Sequence, residues 1–196
     1  MYEVFLMSKN KEMLNIFFKI MKNDKQSIDL VTPKNYVKSI KDINYKKLLN
    51  KGYKNLIFDI DNTIMPVNDI NVTKDLKDFF ENLKKDFNIC ILSNNGEERV
   101  APVKEALQVK GFANAKKPSK HAYDKALELL GSTSSDTVMI GDQMLSDIVF
   151  ANRYNLYSIL VEPYKNKYDI KTGTSRVLQN IIMKKIKDKI TRYNYY

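Results

Sequence analysis

The sequence predicts an α/β fold: an open, mostly parallel sheet with helices on both faces. Two observations carry this. Four short apolar runs, Asn55-Leu56-Ile57-Phe58, Ile89-Cys90-Ile91-Leu92, Thr137-Val138-Met139-Ile140 and Tyr157-Ser158-Ile159-Leu160-Val161, are continuous rather than alternating. Strands covered on both faces have that pattern. Helix-like segments near 73–85, 97–109, 119–130 and 144–154 separate the runs, and strand alternating with helix is the signature of right-handed crossovers.

Taken in order, the first predicted helix outside the sheet is marked by Met13, Ile16, Phe17 and Ile20 at helical spacing. Leu76, Phe79, Phe80 and Leu83 give the 73–85 segment its apolar face, and Gly111 and Gly131 sit where helix C-terminal caps are expected. Leu178, Ile181, Ile182 and Ile186 mark a last helix, accompanied by Arg176, Lys184, Lys185, Lys187, Lys189 and Arg192. That helix is expected to pack on the domain with its basic face in water. The other reading is a basic amphipathic helix lying on an anionic membrane. His121, near the start of a helix, is expected to be structural or exposed rather than catalytic.

Composition narrows the class. A chain of 196 residues with 43% hydrophobic and 29% charged residues is long enough for one domain with a sizeable core. The single cysteine, Cys90, excludes an internal disulfide, and its apolar neighbours mark it as a small buried hydrophobe. No run of about 18 apolar residues suggests a membrane span, and no signal-peptide pattern is seen, so a cytoplasmic location is expected. The net charge of +10 favours anionic partners: phosphate compounds, nucleic acid or an anionic membrane surface. It is equally a common route to solubility.

In open α/β sheets ligands bind beyond the carboxyl ends of the strands, so the polar residues after each apolar run are the candidates for chemistry. Asp59-Ile60-Asp61-Asn62-Thr63 follows the first. Two carboxylates so close repel each other unless a cation sits between them, and a hard divalent ion suits oxygen ligands. A turn or helix cap is the alternative. Ser93-Asn94-Asn95-Gly96 follows the second run, where a hydroxyl and backbone amides can hold a phosphoryl oxygen or simply cap a helix. Lys117, immediately before Pro118, is held extended in a loop that can aim its cation into the crevice. Gly141-Asp142 follows the third run, with Asp147 about one helical turn further on. These acids complete an oxygen cage, or Asp147 dresses the next helix.

Asp59-Ile60-Asp61-Asn62-Thr63, Ser93, Lys117 and Gly141-Asp142 with Asp147 stand in the order of the four motifs of the haloacid dehalogenase superfamily, which the chain resembles over roughly residues 33–176. Pro33 with Tyr36-Val37, Ser93-Asn94-Asn95, Ala115-Lys116-Lys117-Pro118, Gly141-Asp142-Gln143, Asn152-Arg153 and Ile159-Leu160-Val161 make it similar to the capless branch of YqeG-type and phosphatidylglycerophosphate phosphatases. The resemblance implies a three-layer α/β/α Rossmann-like fold without a large cap. It implies a magnesium-dependent phosphomonoester hydrolase in which Asp59 is the nucleophile and Asp61 the general acid and base. Thr63, Ser93, Asn94 and Lys117 would bind phosphate. Mg2+ would be held by Asp59, Asp61 (through its backbone carbonyl), Asp142 and Asp147.

About 30 residues separate Thr63 from Ser93 and about 24 separate Ser93 from Lys117, too few for a folded cap in either gap. An open site suits a bulky phosphate ester, lipid-linked phosphatidylglycerophosphate among them, with peripheral membrane contact through the basic ends. The expected organisation is an N-terminal helical extension over residues 1–30, a capless phosphatase domain over 31–172 and a basic C-terminal helix over 173–196. The competing reading is a non-catalytic protein that binds RNA, a ribonucleoprotein or an anionic membrane. No RNA-recognition motif with interleaved aromatics supports it, so nucleic acid is not the expected partner.

Overall fold

Each apolar run becomes a strand with two faces to bury, and the computed structural model shows where each face goes. It describes residues 2–67, 69–164 and 173–191. The chain runs α1 (Tyr2–Met21), α2 (Lys25–Val31), β1 (Asn35–Val37), α3 (Tyr45–Asn50), β2 (Asn55–Phe58) and α4 (Lys74–Leu83). Then come β3 (Asn88–Leu92), α5 (Glu97–Leu107), β4 (Lys110–Phe112), α6 (Lys120–Leu130) and β5 (Thr137–Gly141). A π-helical turn (Met144–Ile148) leads into α7 (Val149–Arg153), followed by β6 (Tyr157–Val161) and α8 (Gly173–Thr191).

Side chains alternate across the sheet, and both sets are buried. Leu56 and Phe58 of β2, Ile89 and Ile91 of β3, and Val138 and Ile140 of β5 pack on one face, with Leu76, Phe80 and Leu83 of α4 and Val100, Val103 and Leu107 of α5. Ile57, Cys90, Leu92 and Met139 point the other way, toward Ala122 and Ala126 of α6 and Phe150 of α7. This two-sided burial explains why the runs lack polar alternation. Cys90 is fully buried, as its neighbours implied.

All neighbouring strand pairs are parallel, in the order β1-β6-β5-β2-β3-β4. From β2 the chain winds outward through β3 and β4, then returns to β5 on the other side of β2. The order therefore reverses between β2 and β5, and their carboxyl ends flank the crevice where such sheets bind ligands.

Local signals set the helix ends. Thr73 caps α4 by accepting from the Leu76 amide, and Ser119 caps α6 by accepting from Ala122. Gly131 ends α6 in the left-handed conformation, as expected. Gly111 does not cap a helix: it lies within β4, and Gln108 takes the left-handed position that ends α5. The helix expected over 144–154 is divided, its first part a π-helical turn. His121 is exposed on α6 with its ring edge-on to Phe112.

The terminal helices pack on the second face. Ile16 and Ile20 of α1 and Ile182, Ile186 and Ile190 of α8 share one cluster with Met144, Leu145, Ile148 and Val149. Ile181 departs from the expected apolar stripe and is 41% exposed, because the buried stripe runs through Leu178, Ile182 and Ile186 instead. Arg192 lies outside the described residues. Among the described residues no helix is long and apolar enough to cross a membrane. Among the described residues only α4 and β3 lie between Thr63 and Ser93, and only α5 and β4 between Ser93 and Lys117, so neither gap holds a large cap.

Ile182 is 0% exposed. Ile182→Ala is expected to cost about 2–5 kcal/mol in urea unfolding. A cost below about 0.5 kcal/mol would show that α8 is not docked on the π-helical turn.

Candidate active site

The β2–β5 ladder continues one residue beyond β2: the Asp59 amide donates to the Ile140 carbonyl at 3.0 Å. That bond sets Asp59 beside the segment that carries Asp142. The chain then reverses at once. Asn62 adopts φ 61°, a left-handed conformation that asparagine tolerates, and its amide donates to the Met65 carbonyl at 2.8 Å. Thr63 is thereby turned back into the crevice. Its hydroxyl lies 3.2 Å from Asp142 Oδ1 and 3.4 Å from Asp59 Oδ2.

Asp142 and Asp147 come from the end of β5 and the π-helical turn. Glycine is required at 141 for a steric reason: a Cβ there would sit 2.4 Å from the Asp147 carboxyl group. With Gly141 in place, Asp147 folds back beneath the strand end, and its Oδ2 accepts from the Gln143 amide at 3.0 Å. Asp59, Asp142 and Asp147 each present an oxygen within 4.8 Å of the others, and all three are buried.

Lys117 is the cation among them. Its ammonium is 2.7 Å from Asp59 Oδ1 and 2.7 Å from Asp147 Oδ1, and its side chain is 1% exposed. The loop that carries it is bound to the segment after β3. The Ala115 amide donates to the Ser93 carbonyl at 2.9 Å, and the Lys117 amide donates to Asn94 Oδ1 at 2.6 Å. Asn94 Nδ2 also reaches Ser146 at 3.3 Å, so this side chain joins three segments of the site. Ser93 is buried and its hydroxyl accepts from the Asn95 amide at 3.2 Å.

Two arginines enter that sequence reasoning missed. Arg176 of α8, grouped above with the basic tail, turns inward. It pairs with Asp142 Oδ2 and donates to the Asp142 carbonyl at 3.2 Å. Gln179, one turn on, bridges the Asp142 carbonyl (2.9 Å) and the Met144 amide (3.0 Å). Arg99 of α5 holds Asp61, whose side chain stands apart from the buried cluster. A signal for Arg99 was present: a cation in the first turn of a helix opposes the helix dipole, so it calls for a local partner. Arg176 carried no comparable mark among so many basic residues.

The electrostatics follow from crowding. Burial pushes the Asp59 carboxyl up to about 8; Lys117 opposes this, while Asp147 and Asp142 add to it. Burial likewise raises Asp142 to about 6, against the pull of Arg176. Burial alone would lower Lys117, but Asp147 and Asp59 outweigh it and hold the ammonium above its ordinary value. Ionised, the three carboxylates exceed Lys117 and Arg176 by one negative charge. Oxygen donors carrying excess negative charge fit a hard divalent cation, which would restore the carboxylates to their ionised forms. A groove of about 650 Å³, lined by Lys34, Tyr53, Asn152, Arg153 and Tyr157 among others, takes none of these groups.

Residues 114–174 match the HAD-hydrolase-like family model. The chain is similar to "Probable phosphatase YqeG" of Bacillus subtilis (strain 168), 33% identical over 158 residues that span 80% of this chain and 92% of that protein. It is 25% identical over 143 residues to phosphatidylglycerophosphate phosphatase 1, chloroplastic/mitochondrial, of Arabidopsis thaliana, covering 68% of this chain and 41% of that one. Among solved structures, the magnesium-bound HAD-hydrolase YfnB of Bacillus subtilis aligns with a TM-score of 0.46 at 15% identity, over 62% of this chain and 92% of that one.

Replacing Lys117 with methionine removes the ammonium and leaves Asp59 and Asp147 buried together. Lys117→Met is expected to lose about 3–5 kcal/mol of stability in denaturant unfolding. A loss under about 1 kcal/mol would mean that the cluster does not depend on this cation.

Proposed function

The chain belongs to the haloacid dehalogenase-type phosphatases, and from that premise we propose that it hydrolyses phosphate monoesters through a phosphorylated Asp59, with magnesium as its cation. The observation that carries this reading is the convergence of Asp59, Asp142 and Asp147 around Lys117 at the reversal of the sheet.

Asp59 is the nucleophile because it directly follows β2 at the mouth of the crevice. Lys117 and the ladder bond to Ile140 hold its carboxylate on that side. Its oxygen attacks phosphorus, and the ester oxygen departs with a proton from Asp61. Water then attacks the phosphoryl group, passing its proton to Asp61 and releasing Asp59. Lys117 offsets the charge of the nucleophile, and with Thr63 and Ser93 it lines the place where phosphoryl oxygens would lie. Asn94 fixes the Lys117 loop while its segment closes the same side.

Asp59, Asp142 and the Asp61 backbone carbonyl would hold the magnesium, with Asp147 orienting the set beside Lys117. When bound, the ion supplies charge neutralisation and polarises a phosphoryl oxygen. It would change the excess of one negative charge to one positive, a balance suited to a phosphate dianion.

The substrate class we propose is a bulky phosphate ester, phosphatidylglycerophosphate included. The absence of a large cap among the described residues supports this, and so does the similarity to the Arabidopsis phosphatidylglycerophosphate phosphatase 1. The exposed lysines of α8, Lys184, Lys185 and Lys187, would favour an anionic lipid surface.

Purified protein is expected to release phosphate from p-nitrophenyl phosphate only with magnesium present. Asp59→Asn should reduce turnover by at least about a thousandfold. Equal turnover by Asp59→Asn, or turnover unaffected by a chelator, would contradict the mechanism.

A further inference from the structure

Asp61 has its own partners, apart from the buried cluster. Arg99 donates to its Oδ1 through Nε at 2.9 Å and through Nη2 at 2.7 Å, and Asn95 Nδ2 donates to its Oδ2. Both carboxylate oxygens are therefore held by the segment that follows β3. The same guanidinium reaches across the turn after Asp61: Nη2 donates to the Pro66 carbonyl at 3.2 Å, and Nη1 donates to the Asp69 carbonyl. The Arg99 and Asp61 side chains are 14% and 13% exposed.

All three Arg99 nitrogens donate within the protein, so this arginine is built to hold protein groups rather than to meet phosphate. Its planar fork spans a carboxylate and two carbonyls at once, which a lysine ammonium could not reproduce. Its place in the first turn of α5, against the helix dipole, is compensated by these contacts.

We propose that Arg99 is a positioning residue, which sets the orientation of the Asp61 carboxyl for proton delivery and ties it to the Pro66 and Asp69 carbonyls. This rests on the covalent mechanism above. In the first half-reaction the Asp59 oxygen–phosphorus bond forms. The bond from phosphorus to the ester oxygen breaks with its electron pair leaving on that oxygen, and the Asp61 proton moves onto it. An alkoxide is a poor leaving group and needs that proton; a nitrophenolate leaves readily without it. Misorienting Asp61 therefore penalises alkyl esters more than nitrophenyl esters.

The test compares kcat/KM, which reports the first half-reaction, for an alkyl phosphate and for p-nitrophenyl phosphate. Arg99→Met is expected to lower the value for the alkyl ester about tenfold more than for the nitrophenyl ester. That extra loss should vanish when Asp61→Asn is already present, because Arg99 acts through Asp61. Equal losses on both esters, or an extra loss that persists beside Asp61→Asn, would overturn the proposal. If Arg99→Met does not fold, Arg99→Lys keeps the charge, loses the fork and should show the same asymmetry. Wild-type protein inert on both esters would instead overturn the covalent mechanism, and this proposal with it.

Discussion

One buried ammonium holds the site together. Lys117 lies 2.7 Å from both Asp59 and Asp147, with almost no exposure to water. Desolvating three carboxylates costs several kcal/mol for each ion unless charge and hydrogen bonds compensate. Much of the surrounding structure meets that demand. Asn94 and Ser93 fasten the Lys117 loop, Gly141 leaves room for Asp147, and α8 brings Arg176 to Asp142. The remaining negative charge, carried on oxygen donors, suits a hard divalent cation.

The sheet explains how distant residues meet. Asp59 and Asp142 are 83 positions apart in sequence, yet β2 and β5 are neighbours because the winding direction reverses between them. The π-helical turn after β5 then aims Asp147 back under the strand end while presenting Met144, Leu145 and Ile148 to α1 and α8. Packing of the terminal helices and placement of the buried acids are thus linked through one short segment. Among the described residues no large cap covers this point, and the Arg99 contacts to Asp61, Pro66 and Asp69 lie beside the crevice.

Much of this was legible in the sequence for physical reasons. β2, β3, β5 and β6 are buried on both faces, so their residues form unbroken apolar runs, and the acids after β2 and β5 stand out against them. Edge strands β1 and β4 are three residues each and only partly buried, so they leave no such run. Gly111 looked like a cap because glycine serves both turns and close strand packing; a Cβ there would touch Ile91 and Lys104 at 3.4 Å. Arg176 was indistinguishable from the surface cations around it. Its role depends on how α8 docks, which is set by Ile182 and Ile186 rather than by any local motif.

The central claim is that the Asp59–Asp142–Asp147 cluster is a cation site as well as a reaction centre. Thermal unfolding of the purified protein across a magnesium titration tests it most directly. At a hundredfold excess over the dissociation constant, binding adds about 2.7 kcal/mol, which should raise the midpoint by roughly 5–10 °C for a chain of this size. Asp142→Asn should abolish the rise. A midpoint that ignores magnesium in the wild type, or an equal rise in Asp142→Asn, would contradict the account.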